Sequence, residues 1–322
     1  PTDHGWNQAH MRGIEYVKGL CLKALVVAVD GLSFSCDLAD RRVLEVKVIT
    51  NVGYAQADIE RVGEGAVQSG ANLVFGTWFD AANPMVMLAT KYPDVLFEHA
   101  SGYPMIQSNG YNLATYFIRM ELADYIAGYV AGLLGYNRIG VSATFPIPEP
   151  VRGINGFTLG LQRGLKEAGK DPGTAEVRVV WVGSWLDQQG EIMAAQGLMA
   201  EGYKAIRQMG DTPYASQAAC QEAGIVAIGY GTDVSSYAPC SLVTNEWTWG
   251  PYYLWRVGQA LEGKWTSHDW WGGFTPDVVT DALTMAGWNT ALVPVSVREK
   301  AEAMIADIAN GRFDPFANIH GW

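Results

Sequence analysis

Two α/β lobes, each on a largely parallel sheet, are what this sequence predicts, and three observations carry that prediction. The chain has 322 residues, too long for one small core and about right for two lobes of roughly 100–200 residues each. Helical and strand patterns alternate along it in βαβ order. Several strand candidates are short apolar runs with few charges, the pattern of parallel strands covered on both faces.

The first helix is predicted over residues 7–19, which are amphipathic at helical spacing. Residues 43–50 alternate as a strand, 56–69 read as a helix, and 73–79 as an apolar strand. A helix over 84–91 is stopped by Tyr92-Pro93-Asp94, and 95–99 form a buried strand. A second cycle starts near Glu121, where Ala123, Ala127, Gly128, Ala131 and Gly132 line one side of a helix that can pack close to its neighbour. Strands over 138–144, 177–182, 205–209 and 225–229 then alternate with helices over 153–168, 188–201 and 215–223. The chain opens in a loop, with no strand ahead of the first helix. Either that strand has been trimmed, or the β-branched run within 23–30 supplies a replacement.

Composition narrows the function classes. The chain is 49% apolar and 17% charged, against about 25% charged in an average soluble domain, so a globular, tightly built fold is expected. Lys and Arg number 22 against 33 Asp and Glu, a net charge of −11 with no basic run, which argues against a nucleic-acid partner. No apolar stretch approaches the length of a membrane span. The chain opens at Pro1 with neither an initiator Met nor a signal h-region, as a mature or trimmed form would. Cys21, Cys36, Cys220 and Cys240 are too widely spaced for a CxxC motif, and no His pair stands beside them, so no metal is expected. Local disulfides Cys21–Cys36 and Cys220–Cys240 are open to them in an oxidising compartment, and free buried thiols are at least as compatible. Five histidines form no HExxH, and there is no GxGxxG, GxxxxGK[ST] or GxSxG. No catalytic residue and no cofactor are assigned.

The candidate binding residues lie at helix starts and strand ends, where open α/β sheets bind ligands. Trp6 stands directly before the first helix and could stack on a flat base, or simply staple the helix start. Asn7 offers a donor and an acceptor, or a cap. Trp78, Phe79 and Asp80 end an apolar strand, with Asp80 suited to accept from a ring N–H. Trp185 occupies the equivalent place later in the chain, with Asp187 beside it. Asp211 and Asp233 also follow strands and could bind ligand or cap the next turn.

Several segments resemble the basic membrane protein family, the Bmp or Med-type purine-binding lipoproteins of ABC importers. They are Asp3-His4-Gly5-Trp6-Asn7, then Tyr92-Pro93-Asp94-Val95-Leu96-Phe97-Glu98-His99-Ala100-Ser101-Gly102-Tyr103, then Ala127-Gly128-Tyr129-Val130-Ala131-Gly132. The run Pro146-Ile147-Pro148-Glu149-Pro150-Val151-Arg152-Gly153-Ile154-Asn155-Gly156-Phe157 and the run Trp249-Gly250-Pro251-Tyr252-Tyr253 complete the set. The ordered set spans most of the chain. The resemblance implies a type I periplasmic-binding-protein fold, with two Rossmann-like lobes joined by a three-stranded hinge and a ligand in the inter-lobe cleft. It implies lobes of residues 1–118 with 246–274, and 119–245 with 275–322.

The resemblance further implies an extracytoplasmic, lipid-anchored monomer that serves an ABC permease and binds a purine base or nucleoside, an adenine-like base first. An aromatic sandwich would set Trp185 opposite Trp6. Arg119 falls at the first hinge crossing and matches an Arg of the relatives, a clamp or a surface salt bridge. Trp247 falls at the second crossing with Trp249, while Trp270 and Trp271 read as packing. Asp80 matches nucleoside binders rather than free-base binders, yet the basic residue that nucleoside binders place after Thr244-Asn245 is replaced by Glu246, Trp247 and Thr248. A sugar receptor of the same fold and a nucleoside-processing enzyme are the alternatives.

Overall fold

The computed structural model describes residues 3–27, 30–101 and 112–317. The chain divides into two compact units, one of Pro1–Ala9, Arg119–Thr248 and Gly273–Trp322, the other of His10–Ile118 and Trp249–Gly272. They are called here the six-stranded and the four-stranded unit, after their main sheets. The first nine residues therefore group with Arg119–Thr248, whereas the sequence reading joins them to the strands that follow.

Helix α1 (Trp6–Val17), which enters the four-stranded unit at His10, leads to β1 (Lys23–Val27), β2 (Phe34–Asp37) and β3 (Val43–Val46). Then come α2 (Gln56–Gln68), β4 (Leu73–Gly76), α3 (Ala82–Lys91), β5 (Leu96–Ala100) and β6 (Leu113–Ile118). Strands β4, β5 and β6 run parallel, and β12 (Asp269–Gly272) adds beside β6 after helix α8 (Gly250–Leu261). Glu98 on β5 and Arg256 on α8 are both wholly buried and pair at 2.5 Å, with Tyr252 and Trp265 also donating to Glu98. That pairing satisfies a charge that would otherwise be costly to bury and pins the returning chain to the sheet. Trp270 packs as expected, stacked on Tyr252 at 4.7 Å.

The run within 23–30 does not replace a missing parallel strand. β1 pairs antiparallel with β2, and β2 with β3, in a separate three-stranded sheet; Ala28 and Val29 lie outside the described residues. The strand expected over 43–50 ends at Val46 and belongs to this meander. The reason is turn chemistry. Asp30 accepts from the Leu32 and Ser33 amides, and Asp40 from the Arg42 amide, reversing the chain twice. Connections that short permit only antiparallel pairing.

In the six-stranded unit, α4 (Met120–Leu133), β7 (Arg138–Ala143), α5 (Pro148–Glu167), β8 (Glu176–Trp181) and α6 (Gln188–Ala200) follow in order. They continue into β9 (Ala205–Met209), α7 (Tyr214–Cys220), β10 (Val226–Gly231) and β11 (Ser241–Trp247). The sheet order is β13-β11-β10-β9-β7-β8, parallel except for β13 (Leu283–Ala286), which closes the edge antiparallel to β11 before helix α9 (Val295–Ala309). Small residues bring α4 and α5 together as the sequence suggests. A Cβ on Gly128 would lie 2.0 Å from the Phe157 carbonyl oxygen, and one on Gly160 1.9 Å from that of Tyr125, so any side chain there would force the helices apart.

All four cysteines are paired, Cys21 with Cys36 and Cys220 with Cys240, the disulfide alternative of the two the sequence leaves open. Each bridge lies within one unit. Replacing Cys220 and Cys240 together by alanine should cost about 3 kcal/mol, the chain-entropy value for a loop of this size. Urea unfolding of the variant beside the disulfide-intact parent measures it.

Candidate functional site

Parallel pairing places the C-terminal ends of β7, β8, β9, β10 and β11 along one edge of the six-stranded unit, the edge at which such sheets bind ligands. The N-terminal segment docks onto this edge. Thr232, just after β10, donates to the His4 carbonyl at 2.5 Å, and the Tyr237 hydroxyl lies 2.8 Å from His4 Nδ1. Gly5 sits so close to the strand-end loop after β9 that a Cβ would fall 1.7 Å from the Asp211 carbonyl oxygen. Glycine is therefore required at position 5.

That docking delivers Trp6 to the strand ends. Its ring meets Trp247, at the end of β11, edge to face at 5.5 Å, and Trp247 meets Tyr230 on β10 in the same way at 5.8 Å. Tyr230 in turn donates to Glu149 Oε1, in the first turn of α5, at 2.8 Å. Trp185, beyond β8, packs edge to face on Phe145 beyond β7 at 4.9 Å. Trp6, Trp185, Asp211, Asp233 and Trp247 thus share one unit; the sequence reading set Trp6 and Trp185 on opposing lobes. The cause is the anchoring of residues 4–6, which no local pattern encodes.

Other candidates have plainer duties here. Asp3 caps α1 by accepting from the Asn7 and Gln8 amides at 2.8 and 3.2 Å, and Asn7 itself is exposed. Asp233 accepts from the Ser235 amide at 2.9 Å, and Asp187 caps α6 through the Gly190 amide. Arg119 Nε donates to Glu121 at 3.1 Å, with its side chain 41% exposed.

Beneath the strand ends lies a buried polar network that the sequence reading missed. Arg207 on β9 pairs with Asp124 on α4, Asn245 on β11 donates to the same Asp124 oxygen at 2.7 Å, and the guanidinium faces Phe157 and Tyr230. Burial pushes the Asp124 carboxyl up, and the Arg207 cation draws it back. Burial also raises Asp211 well above the usual carboxylate range, helped by the negative charges of Glu149, Asp3 and Glu191. Glu149 is raised by burial as well.

Glu191, buried on α6, accepts from Thr212 Oγ1 at 2.5 Å, and burial raises its pKa from 4.5 to about 7. Its stabilising share is whole below about pH 4.5 and is lost as pH climbs through about 7, since ionisation costs more in the fold than in the open chain. Glu191→Gln should therefore raise the melting temperature at about pH 8 and leave it unraised at about pH 5. Scanning calorimetry at both pH values checks the difference.

In the four-stranded unit, Trp78, Phe79 and Asp80 follow β4. Trp78 is extended, and Phe79–Ala81 form one 3₁₀ turn running into α3. His99, wholly buried on β5, places Nε2 3.0 Å from the Trp78 carbonyl oxygen. Among the described residues no cluster of three or more His, Cys, Asp or Glu is arranged to hold a metal ion.

Comparison with known proteins adds to this geometry. The family model described as ABC transporter substrate-binding protein PnrA-like, Bmp, matches residues 2–308. A purine-binding protein of Brucella abortus is 33% identical over 320 residues, covering 98% of this chain and 80% of that protein. A Haloferax volcanii protein provisionally named an ABC transporter glucose-binding protein is 34% identical over 293 residues, covering 89% and 71%. Among solved structures, an ABC transporter system solute-binding protein from Conexibacter woesei superposes with a TM-score of 0.70 at 20% identity, covering 97% and 94%. At that identity the likeness speaks for the fold, which is of the type I periplasmic-binding-protein class.

Proposed function

Because the chain belongs to the Bmp family of PnrA-like ABC transporter substrate-binding proteins, we propose that its cargo is a purine base or nucleoside, an adenine-like base first. The family consists of substrate-binding proteins rather than enzymes, and it implies a small-molecule ligand, a permease partner and an extracytoplasmic location. The two disulfides suit an oxidising compartment, and no helix among the described residues is long and apolar enough to cross a membrane. A lipid anchor and a monomeric state belong to the proposal.

The observation that carries the purine reading is the meeting of indole and carboxyl groups at one strand-end edge. Trp6 is partly exposed and meets Trp247 edge to face at 5.5 Å. Glu149 stands close enough to Asp211 for its negative charge to raise that carboxyl, and carboxyl oxygens are the acceptors a ring N–H or an exocyclic amine needs. The residues proposed to contact ligand are Trp6, Asn7, Arg119, Trp185, Asp211, Asp233 and Trp247 in the six-stranded unit, and Trp78, Phe79 and Asp80 in the four-stranded unit. The name of the Haloferax relative favours glucose as a second reading, because aromatic faces also stack on pyranose rings.

Scanning fluorimetry with adenine, guanine, hypoxanthine, their nucleosides and glucose separates the two. A ligand at 100 times its Kd adds about 2.7 kcal/mol to native stability. The melting temperature should rise with at least one purine and stay level with glucose; a rise with glucose alone would reject the purine reading.

A further inference from the structure

We propose that His99 is a positioning residue for the proposed ligand segment Trp78-Phe79-Asp80, holding the Trp78 carbonyl through an Nε2–H that fixes where the chain leaves β4. His99 stands on β5 opposite Gly76, the last residue of β4, and is 0% exposed. A carbonyl oxygen can only accept, so the 3.0 Å contact with Trp78 requires the proton on Nε2. The Ala81 amide donates to the same carbonyl at 3.1 Å. One oxygen therefore receives a donor from the turn and a donor from the neighbouring strand, and both its lone pairs are used.

The cost of this arrangement argues for a role. With the proton on Nε2, the other nitrogen is a bare acceptor, and Nδ1 is buried without a hydrogen-bond partner among the described residues. Such a group costs about 1–3 kcal/mol, which an apolar side chain such as that of its strand neighbour Phe97 avoids. Burial lowers the imidazole pKa to about 4 against the opposing backbone hydrogen bonds of Trp78 and Phe79, so the ring is neutral near pH 7 and carries one proton, which the Trp78 carbonyl holds on Nε2. What the imidazole supplies that an apolar residue would not is a directed donor, aimed at the backbone that sets Trp78 and Asp80.

The proposal rests on the ligand reading only where Trp78 and Asp80 are taken to touch ligand, and its test has arms that do not need a ligand. Hydrogen exchange of residues 77–82 is compared in the wild type, His99→Phe and His99→Gln, whose amide can reach the same carbonyl. Exchange there should rise at least tenfold in His99→Phe, with amides of β6 unchanged, and return to within threefold of wild type in His99→Gln. Adenine affinity by calorimetry should follow the same order, with a loss of about tenfold in His99→Phe, or 1.4 kcal/mol. Wild-type exchange in His99→Phe, or His99→Gln behaving no better than His99→Phe, would overturn the positioning role. If His99→Phe fails to fold, the nitrogen chemical shifts of wild-type His99 still decide: protonated Nε2 supports the role, and protonated Nδ1 removes it. A wild type that binds no purine would reject the cargo proposal, and the exchange and tautomer results would still judge His99.

Discussion

Replacing Arg207 with alanine should destabilise the six-stranded unit by about 3–5 kcal/mol, the cost of breaking a buried ion pair by removing one partner. The side chains of Arg207 and Asp124 are 0% and 1% exposed, so the surviving carboxylate would have no water to turn to. Asn245 would remain as a donor to it, at 2.7 Å. The guanidinium also fills space against Phe157 and Tyr230, at 4.9 and 5.7 Å from their ring centres, so truncation leaves a cavity as well as a charge. The double variant Arg207→Met with Asp124→Leu should recover most of the loss, because an apolar pair of similar volume avoids the desolvation penalty. Urea unfolding of the three proteins measures this. A loss under about 1 kcal/mol in the single variant would show that the network contributes little, and no recovery in the double would show that the loss is not the cost of an unpaired buried charge.

Trp6→Ala and Trp185→Ala should each weaken ligand binding at least tenfold, about 1.4 kcal/mol, while leaving the melting temperature of the empty protein nearly unchanged. The size follows from stacking, worth about 1–3 kcal/mol per base on an aromatic ring. Both indoles are only partly buried, Trp6 as the first residue of α1 and Trp185 beyond the end of β8. Each meets an aromatic neighbour edge to face, Trp247 and Phe145 respectively, and those contacts set the angle of the ring. Calorimetric titration of each variant decides. Unchanged affinity in both would remove stacking on these rings from the account.

Much of the fold was legible because the parallel strands are continuous apolar runs between clear breakers. The strand over 205–209 coincides with β9, and the helices over 56–69 and 188–201 miss α2 and α6 by one residue at the C-terminus. The antiparallel meander was not legible as such, since the reversal depends on Asp30 and Asp40 side chains bonding their own backbone, a local device that leaves the hydrophobic period unchanged. The sequence pattern marks no strand at β2, β6, β11, β12 or β13. β12 and β13 are four residues each and take their partners from far along the chain, Asp269 opposite Thr115 and Thr244 opposite Ala286.

The site divides in the same way. Trp6 and Asp211 are readable as helix-start and strand-end residues and Trp247 as a residue of the second crossing, and the structure gathers the three on one edge. Glu149 and His99 lie in the segments that carry the family resemblance, and no local pattern assigns either a task. Their partners, Tyr230 and the Trp78 carbonyl, are set by packing between elements. Docking of the N-terminal segment, through His4 to Thr232 and Tyr237, joins residues more than 200 positions apart. Only tertiary structure reveals it, and with it the company Trp6 keeps.

The cargo itself is most directly identified by denaturing the protein, refolding it free of any retained molecule, and titrating it calorimetrically with adenine, adenosine and glucose. Saturable binding of one adenine or adenosine per chain, with no heat from glucose, is the predicted result. Saturable heat from glucose with none from either purine compound would contradict the account.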